Sequence, residues 1–321
     1  MARLSIIIPH SGSVQRLENT LVSVLENRPD DSQIVVVQSE VYDDPYDLKG
    51  EVTFVYTPIG TDNVRCLNVG IDMSDAPVVH LLLPGIEVTP GWADAALRHF
   101  ADPTVAAVAP LLVHGQTDGI LTAGLEYRPS GAVRPVGHGQ SATKTLGDFS
   151  NVAGPDPRAA FYRKSMLRRV DRFCIGFDEQ TAGADLALRL IAAGGRCVVE
   201  SDSRVRAVDL PRRRTSAFCR AMQNERIFWR WAPHGGWLRG LTGHLGQAVV
   251  DVASEFPGPG MLGSLLGHLL GACRSPAQRR EHRRLMSLCA EPEQTPGDVV
   301  PLPHFSMTGR ALCETPVRRR A

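Results

Sequence analysis

The chain has 321 residues, 43% hydrophobic and 21% charged, which excludes general disorder and suits one large or two ordinary globular domains. Its longest apolar stretches, such as GMLGSLLGHLLGAC at 260–273, fall short of the roughly 20 residues that span a bilayer, and seven cysteines without a C-x-x-C pair argue against a disulfide framework or a zinc site. The net charge of +1 hides a split: residues 1–208 carry 19 basic and 25 acidic side chains, whereas 209–321 carry 16 arginines, no lysine and 9 acids. Such a basic part suits either a solvated helical face or an anionic surface. Without a leader or a spanning segment, the expected location is cytoplasmic, with peripheral contact at the inner face of an anionic membrane.

LSIIIP (4–9) is a continuous β-branched run, as in a strand buried on both faces. Leu17, Leu21, Val24 and Leu25 then repeat at helical spacing, and QIVVVQ (33–38) and EVTFVYT (51–57) give two more strands. NVRCLNVGIDMS (63–74) reads as a helix, PVVHLLL (77–83) as a strand, GWADAALRHF (91–100) as a helix and VAAVAPLLV (105–113) as a strand. Residues 115–160 read as an irregular insertion with short strand-like pieces, ILTAGLEYR and AVRPV. FYRKSMLRRV follows as a helix or turn, GADLALRLIAAGG (183–195) as a helix and RCVVES (196–201) as a strand. From Asp209 onward the pattern is helical and arginine-rich. The alternation predicts an α/β fold: a doubly wound, mostly parallel sheet with helices on both faces, a ligand cleft at the carboxyl ends of its strands, and a helical C-terminal region.

The order of these segments resembles family 2 glycosyltransferases, which have the GT-A fold. LSIIIPHSGSVQRLENTLVSVLEN is similar to that family's opening strand, turn and leucine-rich helix, and QIVVVQSE to its second strand. CLNVGIDMSDAPVVHLLLPGIEVTPGW is similar to its Asn-x-Gly helix and metal-bearing strand, and FYRKSMLRRVDRFCIGFDE with GADLALRLIAAGGRCVVE to its acceptor half. The likeness covers residues 4–208 and is specific for the fold; function has to be argued from the site. It implies inverting transfer of a sugar from a nucleotide-diphosphate sugar to an acceptor hydroxyl. Three groups would serve it: an acid near the second strand, an Asp-x-Asp strand end holding Mn²⁺ or Mg²⁺ on the diphosphate, and a carboxylate base.

This chain departs from the pattern at each. Gln38 stands where the acid would, followed by Ser39 and Glu40. The implied nucleotide contacts are Pro9, His10, Gln38, Glu40 and Asn68. Leu83 and Gly85 stand where the metal ligands would, which leaves Glu87 as the nearby carboxylate for Mn²⁺ or Mg²⁺, on Gly85's face of an extended chain. Its other reading is an exposed acid before a helix. Two registers are open for the base. Aligned on D-L-A-L-R-L, Asp185 matches a helix-facing aspartate and Gly183 the catalytic position; aligned on Ala-Asp, Asp185 is the base itself. Asp178 and Glu179 in GFDE are further acceptor-site candidates, Asp178 reading also as a helix cap. Ala207 replaces a histidine, and QNERIFW keeps only part of the Gln-x-x-Arg-Trp motif of processive members, so polymer synthesis is not expected.

Trp229, Trp231 and Trp237, interleaved with Arg226, Arg230 and Arg239, read as core packing with arginines snorkelling outward; nucleic acid is not an expected partner. The predicted organisation is a glycosyltransferase-like domain over 1–208, a basic helical region over 209–290 and a flexible tail over 291–321. The expected function is non-processive transfer from a nucleotide sugar to a glycan, lipid-linked or protein acceptor, the competing expectation being an inactive binding or partner protein on the same fold.

Overall fold

The computed structural model describes residues 2–142, 149–210, 215–232 and 237–290; the expected tail at 291–321 and the side chain of Trp237 lie outside them. LSIIIPH forms β1 (Leu4–His10), buried along its length. Strand alternation sends Ile6 and Ile8 to one side of the sheet and Ile7 to the other. The first side is covered by α1 (Val14–Asn27) through Leu17, Leu21 and Val24. After β2 (Ser32–Gln38) and β3 (Val52–Tyr56), α2 (Asn63–Met73) covers the second side through Val64, Leu67 and Ile71. Gly70 permits that close approach, because a Cβ there would stand 2.3 Å from Ile7 Cγ2. Next come β4 (Val78–Leu82), β5 (Ile86–Val88), α3 (Trp92–Leu97) and β6 (Val105–His114).

Strands β3, β2, β1 and β4 lie side by side and pair in parallel, as the alternating pattern predicts. Within the insertion, β7 (Ile120–Thr122) pairs with β6, while β8 (Leu125–Tyr127) and β9 (Val133–Pro135) form a separate antiparallel ribbon. The segment expected as a helix or turn at FYRKSMLRRV is a correction: its start belongs to β10 (Ala159–Arg163), and only then does α4 (Lys164–Arg169) begin. β10 runs antiparallel between β4 and β6, sending Ala159 and Phe161 to one core and Ala160 and Tyr162 to the other. A run of five residues is too short for periodicity to separate strand from helix, so its neighbours decide.

The helix expected from 183 starts earlier, as α5 (Glu179–Ala192), with Asp178 at its N-cap. β11 (Arg196–Ala207) pairs in parallel with β6 and antiparallel with β5, which completes the order β3-β2-β1-β4-β10-β6-β11-β5. Four helices follow: α6 (Ala217–Trp231), α7 (Trp237–Ser254), α8 (Gly260–Cys273) and α9 (Ser275–Ala290). Ile227 of α6 and Cys289 of α9 enter the core beneath α2 and α5, within one compact unit spanning Met1–Glu291.

Candidate active site at the carboxyl ends of the parallel strands

Parallel strands that end side by side leave a crevice beyond their carboxyl ends, edged by the N-termini of the helices that follow. Here the Ser11 hydroxyl, just past β1, donates to Asn63 Oδ1 at the start of α2, and Asn63 Nδ2 donates to Glu179 Oε1 at the start of α5 (2.9 Å). A cavity of about 180 Å³ opens there, lined by Asn63, Leu83, Arg158, Asp178, Glu179, Gln180, Leu210 and Thr215. Asp178, Gln180 and Thr215 also line a larger cavity of about 630 Å³ that extends to Arg220 and Glu255. A further cavity of about 640 Å³, around Arg3, Pro77 and Val78, sits at the opposite, amino end of the strands.

Asp178 is the carboxylate most altered by its place in the cleft. Its Oδ1 accepts the Thr181 N–H (2.8 Å), which makes it the N-cap of α5, yet burial pushes its carboxyl above the ordinary aspartate value. Its loop is clamped by α6. Gln223 Oε1 accepts the Asp178 N–H (3.1 Å), and Arg226 donates to the Gly176 carbonyl while its guanidinium lies 4.4 Å from the Phe177 ring centroid. The partial Gln-x-x-Arg motif thus positions the loop that carries a candidate base. Arg158 supplies positive charge to the same cavity and is forked onto Asp156 at 2.9 and 2.7 Å.

Asp185 lies elsewhere. It is 0% exposed, with Arg189 and Trp231 within 3.1 and 2.9 Å of its oxygens and Arg230 at 3.0 Å. Burial alone would raise its carboxyl, but Arg189 and Arg230 hold it below the usual range. An acceptor in the cleft does not reach this group, which ties α5 to α6. Arg230 is itself only 3% exposed, so the expected outward snorkelling is a correction at this position: a guanidinium turns inward where a buried carboxylate meets it. In the other register the base position is Gly183, and there a Cβ would stand 2.4 Å from Pro157 Cγ.

At the strand end after β4, Gly85 is equally enclosed. Its φ is +92°, its N–H faces Thr20 Oγ1 at 3.0 Å, and its carbonyl accepts the N–H groups of Val208 and Asp209 at 3.0 and 3.1 Å. A Cβ would meet the Asp209 carbonyl oxygen at 2.0 Å, and the next nearest side-chain atom is Arg16 Cδ at 3.6 Å. Arg16 and Asp209 form a two-pronged ion pair (2.8 and 3.1 Å) over this spot. That hydrogen bond raises the Arg16 pKa and lowers that of Asp209.

Of the expected nucleotide contacts, Pro9, His10 and Gln38 come together at the paired ends of β1 and β2, with Glu40 exposed beside them. His10 is fully buried; burial lowers its pKa, neither ring nitrogen meets a hydrogen-bond partner, and its ring lies edge-on to Tyr42 at 6.0 Å. Asn68 is not in the cleft. Both ends of its amide are used on the Phe173 backbone, at 2.9 and 3.0 Å. Asn63, Arg158, Arg16 and Asp209 were not legible as site residues; the one signal was Asn63's place at the start of a helix that follows a strand.

This strand order, with an antiparallel strand set into a parallel sheet and the cleft at the parallel strand ends, is the GT-A glycosyltransferase fold. No protein-family model matches the sequence, and no curated protein matches it significantly. Among solved structures the chain is similar to GalNAc-T7 with UDP, GalNAc and Mn²⁺, at 12% identity and a TM-score of 0.56, over 80% of this chain and 58% of that one. It is also similar to the mannosyltransferase PcManGT from Pyrobaculum calidifontis in complex with GDP-Man and Mn²⁺, at 17% identity and a TM-score of 0.49, over 90% of this chain and 84% of that one. The chain therefore spans little more than half the length of GalNAc-T7. The GalNAc-T7 structure contains Mn²⁺, whereas the side chains at this chain's strand end make a poor donor set for a divalent cation. Leu83 and Gly85 carry no side-chain ligand atom, and among the described residues no three His, Cys, Asp or Glu side chains come together as a metal site, Glu87 included.

Proposed function

We propose that the cleft transfers single sugars, with inversion, from a nucleotide-diphosphate donor to an acceptor hydroxyl, and that no divalent cation is held at the Leu83–Gly85 strand end. The observation that carries this reading is one cavity holding Asp178, a carboxylate raised by burial, beside cationic Arg158. The nucleoside lies over the carboxyl ends of β1 and β2, where Pro9, His10 and Gln38 are buried beneath it and Glu40 is exposed at the rim. Arg16 meets the diphosphate charge where a metal would otherwise stand. Its partner Asp209 is 60% exposed, and such surface pairs contribute little, so a more highly charged diphosphate displaces it.

In the reaction the acceptor oxygen bonds to the anomeric carbon from the side opposite the diphosphate. The carbon–oxygen bond to phosphate breaks, its electron pair leaves on the nucleoside diphosphate, and the acceptor proton passes to Asp178. Gln223 and Arg226 keep Asp178 in place without touching the reacting atoms. The test is release of nucleoside diphosphate from GDP- and UDP-sugars offered with hydroxyl acceptors. Asp178→Asn is expected to lower the rate by roughly 10²–10⁴-fold. Full activity in that variant, or no consumption of any nucleotide sugar, defeats the proposal.

A further inference from the structure

The helices that follow the cleft domain carry an inverted amphipathic pattern. On α8, Leu262, Leu265, Leu266, Leu269 and Leu270 are 46–61% exposed, while Ser264, Gly267, His268 and Gly271 are buried. This orientation is locked, because the small residues are the ones that allow α8 to lie against α6. A Cβ on Gly267 would stand 2.4 Å from the Phe218 carbonyl oxygen, and one on Gly271 would stand 2.6 Å from Glu225 Cβ. Rotating the leucines inward would drive them into the α6 backbone. His268 is fixed on the same side, its Nδ1 within 2.9 Å of Glu225 Oε1, where His244 of α7 also bonds at 2.7 Å.

The neighbouring α7 adds Leu245 and Val249, 56% and 68% exposed, and the turn between the helices adds Phe256 at 71%. Half of the large apolar side chains exposed among the described residues fall between Leu238 and Leu270, whereas the remainder are scattered along the chain. Scattered exposed residues are ordinary; a contiguous patch marks an interaction surface.

Charge identifies what covers it. Residues 237–290 hold six arginines and three acids. Every one of the arginines is exposed, Arg239 beside Leu238 and Arg274 at the end of α8 among them. The acids are all partly buried and engaged: Asp251 with Asn224 and Gln247, Glu255 with Arg220, and Glu281 with Arg284. A second copy would bring the same net positive charge to the contact, which opposes self-association. No helix among the described residues is long and apolar enough to cross a membrane. An apolar helical face fringed by arginine instead suits a position in the plane of a lipid interface.

We propose that the α7–α8 face docks on an anionic phospholipid bilayer, its leucines entering the boundary between headgroups and acyl chains and its arginines meeting lipid phosphates. Glu255, next to Phe256, lines the larger cavity together with Asp178, so the docked face adjoins a mouth of the cleft.

The experiment is vesicle flotation of the full chain, with phosphatidylcholine alone and with added phosphatidylglycerol, at low and high salt. Flotation is expected with the anionic vesicles and is expected to weaken with salt. Leu266→Ser combined with Leu269→Ser alters only exposed side chains, so the melting temperature should hold while partitioning falls at least about tenfold. Arg239→Gln and Arg274→Gln should each weaken binding to the anionic vesicles by about fivefold. A chain that stays at the bottom with every vesicle overturns the proposal, and so does equal flotation of the leucine variant. Concentration-dependent dimerisation abolished by the leucine variant would also overturn it, making the face a self-interface. The readout uses no nucleotide or sugar, so its failure is separate from failure of the transfer reading.

Discussion

The strand end after β4 and the first turns of α5 differ in where their nearest carboxylates lie: Asp209 is paired with Arg16 over the first, while Asp178 and Glu179 line the cleft cavity ahead of the second. At both places a glycine stands where the resemblance sets a carboxylate, and at both the Cβ space is filled, by the Asp209 carbonyl at Gly85 and by the Pro157 ring at Gly183. In the proposed reading Arg16 stands in for the missing group beside Gly85, and Asp178, with Glu179 next to it, does so for Gly183. The two glycines therefore bear on separate parts of the proposed reaction, the donor side and the acceptor side. In the proposed reaction Arg16 meets the diphosphate at the first place without a metal, and Asp178 accepts the proton near the second.

The largest expected effect is at Asp185, a carboxylate buried between α5 and α6. Asp185→Ala strands Arg189 and Arg230 in the core and is expected to destabilise the chain by about 3–5 kcal/mol in denaturant unfolding. A small stability loss with abolished transfer would instead make Asp185 a catalytic group. Next in size is Gly85→Asp, which restores the acid of the familiar metal motif. With φ at +92° and a backbone oxygen in the way, it should cost about 1–3 kcal/mol and create no Mn²⁺ binding. Tight Mn²⁺ binding by a stably folded Gly85→Asp protein would show that the strand end is still a metal site.

The smallest effect is in pH dependence. Asp178 has a raised pKa and must be ionised to accept a proton, so the rate should fall on acidification through a limb above the ordinary aspartate range. Its stability effect has the opposite direction: a carboxyl raised in the folded state favours folding when protonated, and that contribution fades as pH rises through the folded value. Asp178→Asn should remove the limb from the residual rate without lowering neutral-pH stability beyond the small loss of a weaker cap. An unchanged limb in the variant assigns it to another group.

How far the sequence reached follows from the range of the interactions. β1, β2 and β4 were legible because each is a continuous apolar run, and the α2 position because its apolar residues recur at helical spacing. β10 was hidden, since it is five residues long and ends in Arg163, whose guanidinium caps carbonyls of Phe100 and Asp102 far away in the chain. That glycine stands at 85 and 183 could be read directly. What fills the space could not: Asp209 lies over a hundred residues beyond Gly85, and Arg230 reaches Asp185 from another helix. Asn68 illustrates the converse, a polar residue at a motif position whose hydrogen bonds hold Phe173 in place.

The central claim, a nucleotide-diphosphate site that relies on Arg16 in place of a metal, is tested most directly by calorimetric titration of GDP and UDP into the full chain, first in EDTA and then in Mn²⁺. Binding by at least one of them is expected to be the same in both solutions and to be weakened at least about tenfold by Arg16→Gln, in keeping with a lost charge-assisted hydrogen bond. Binding that appears only with Mn²⁺ and disappears in Glu87→Ala would contradict it.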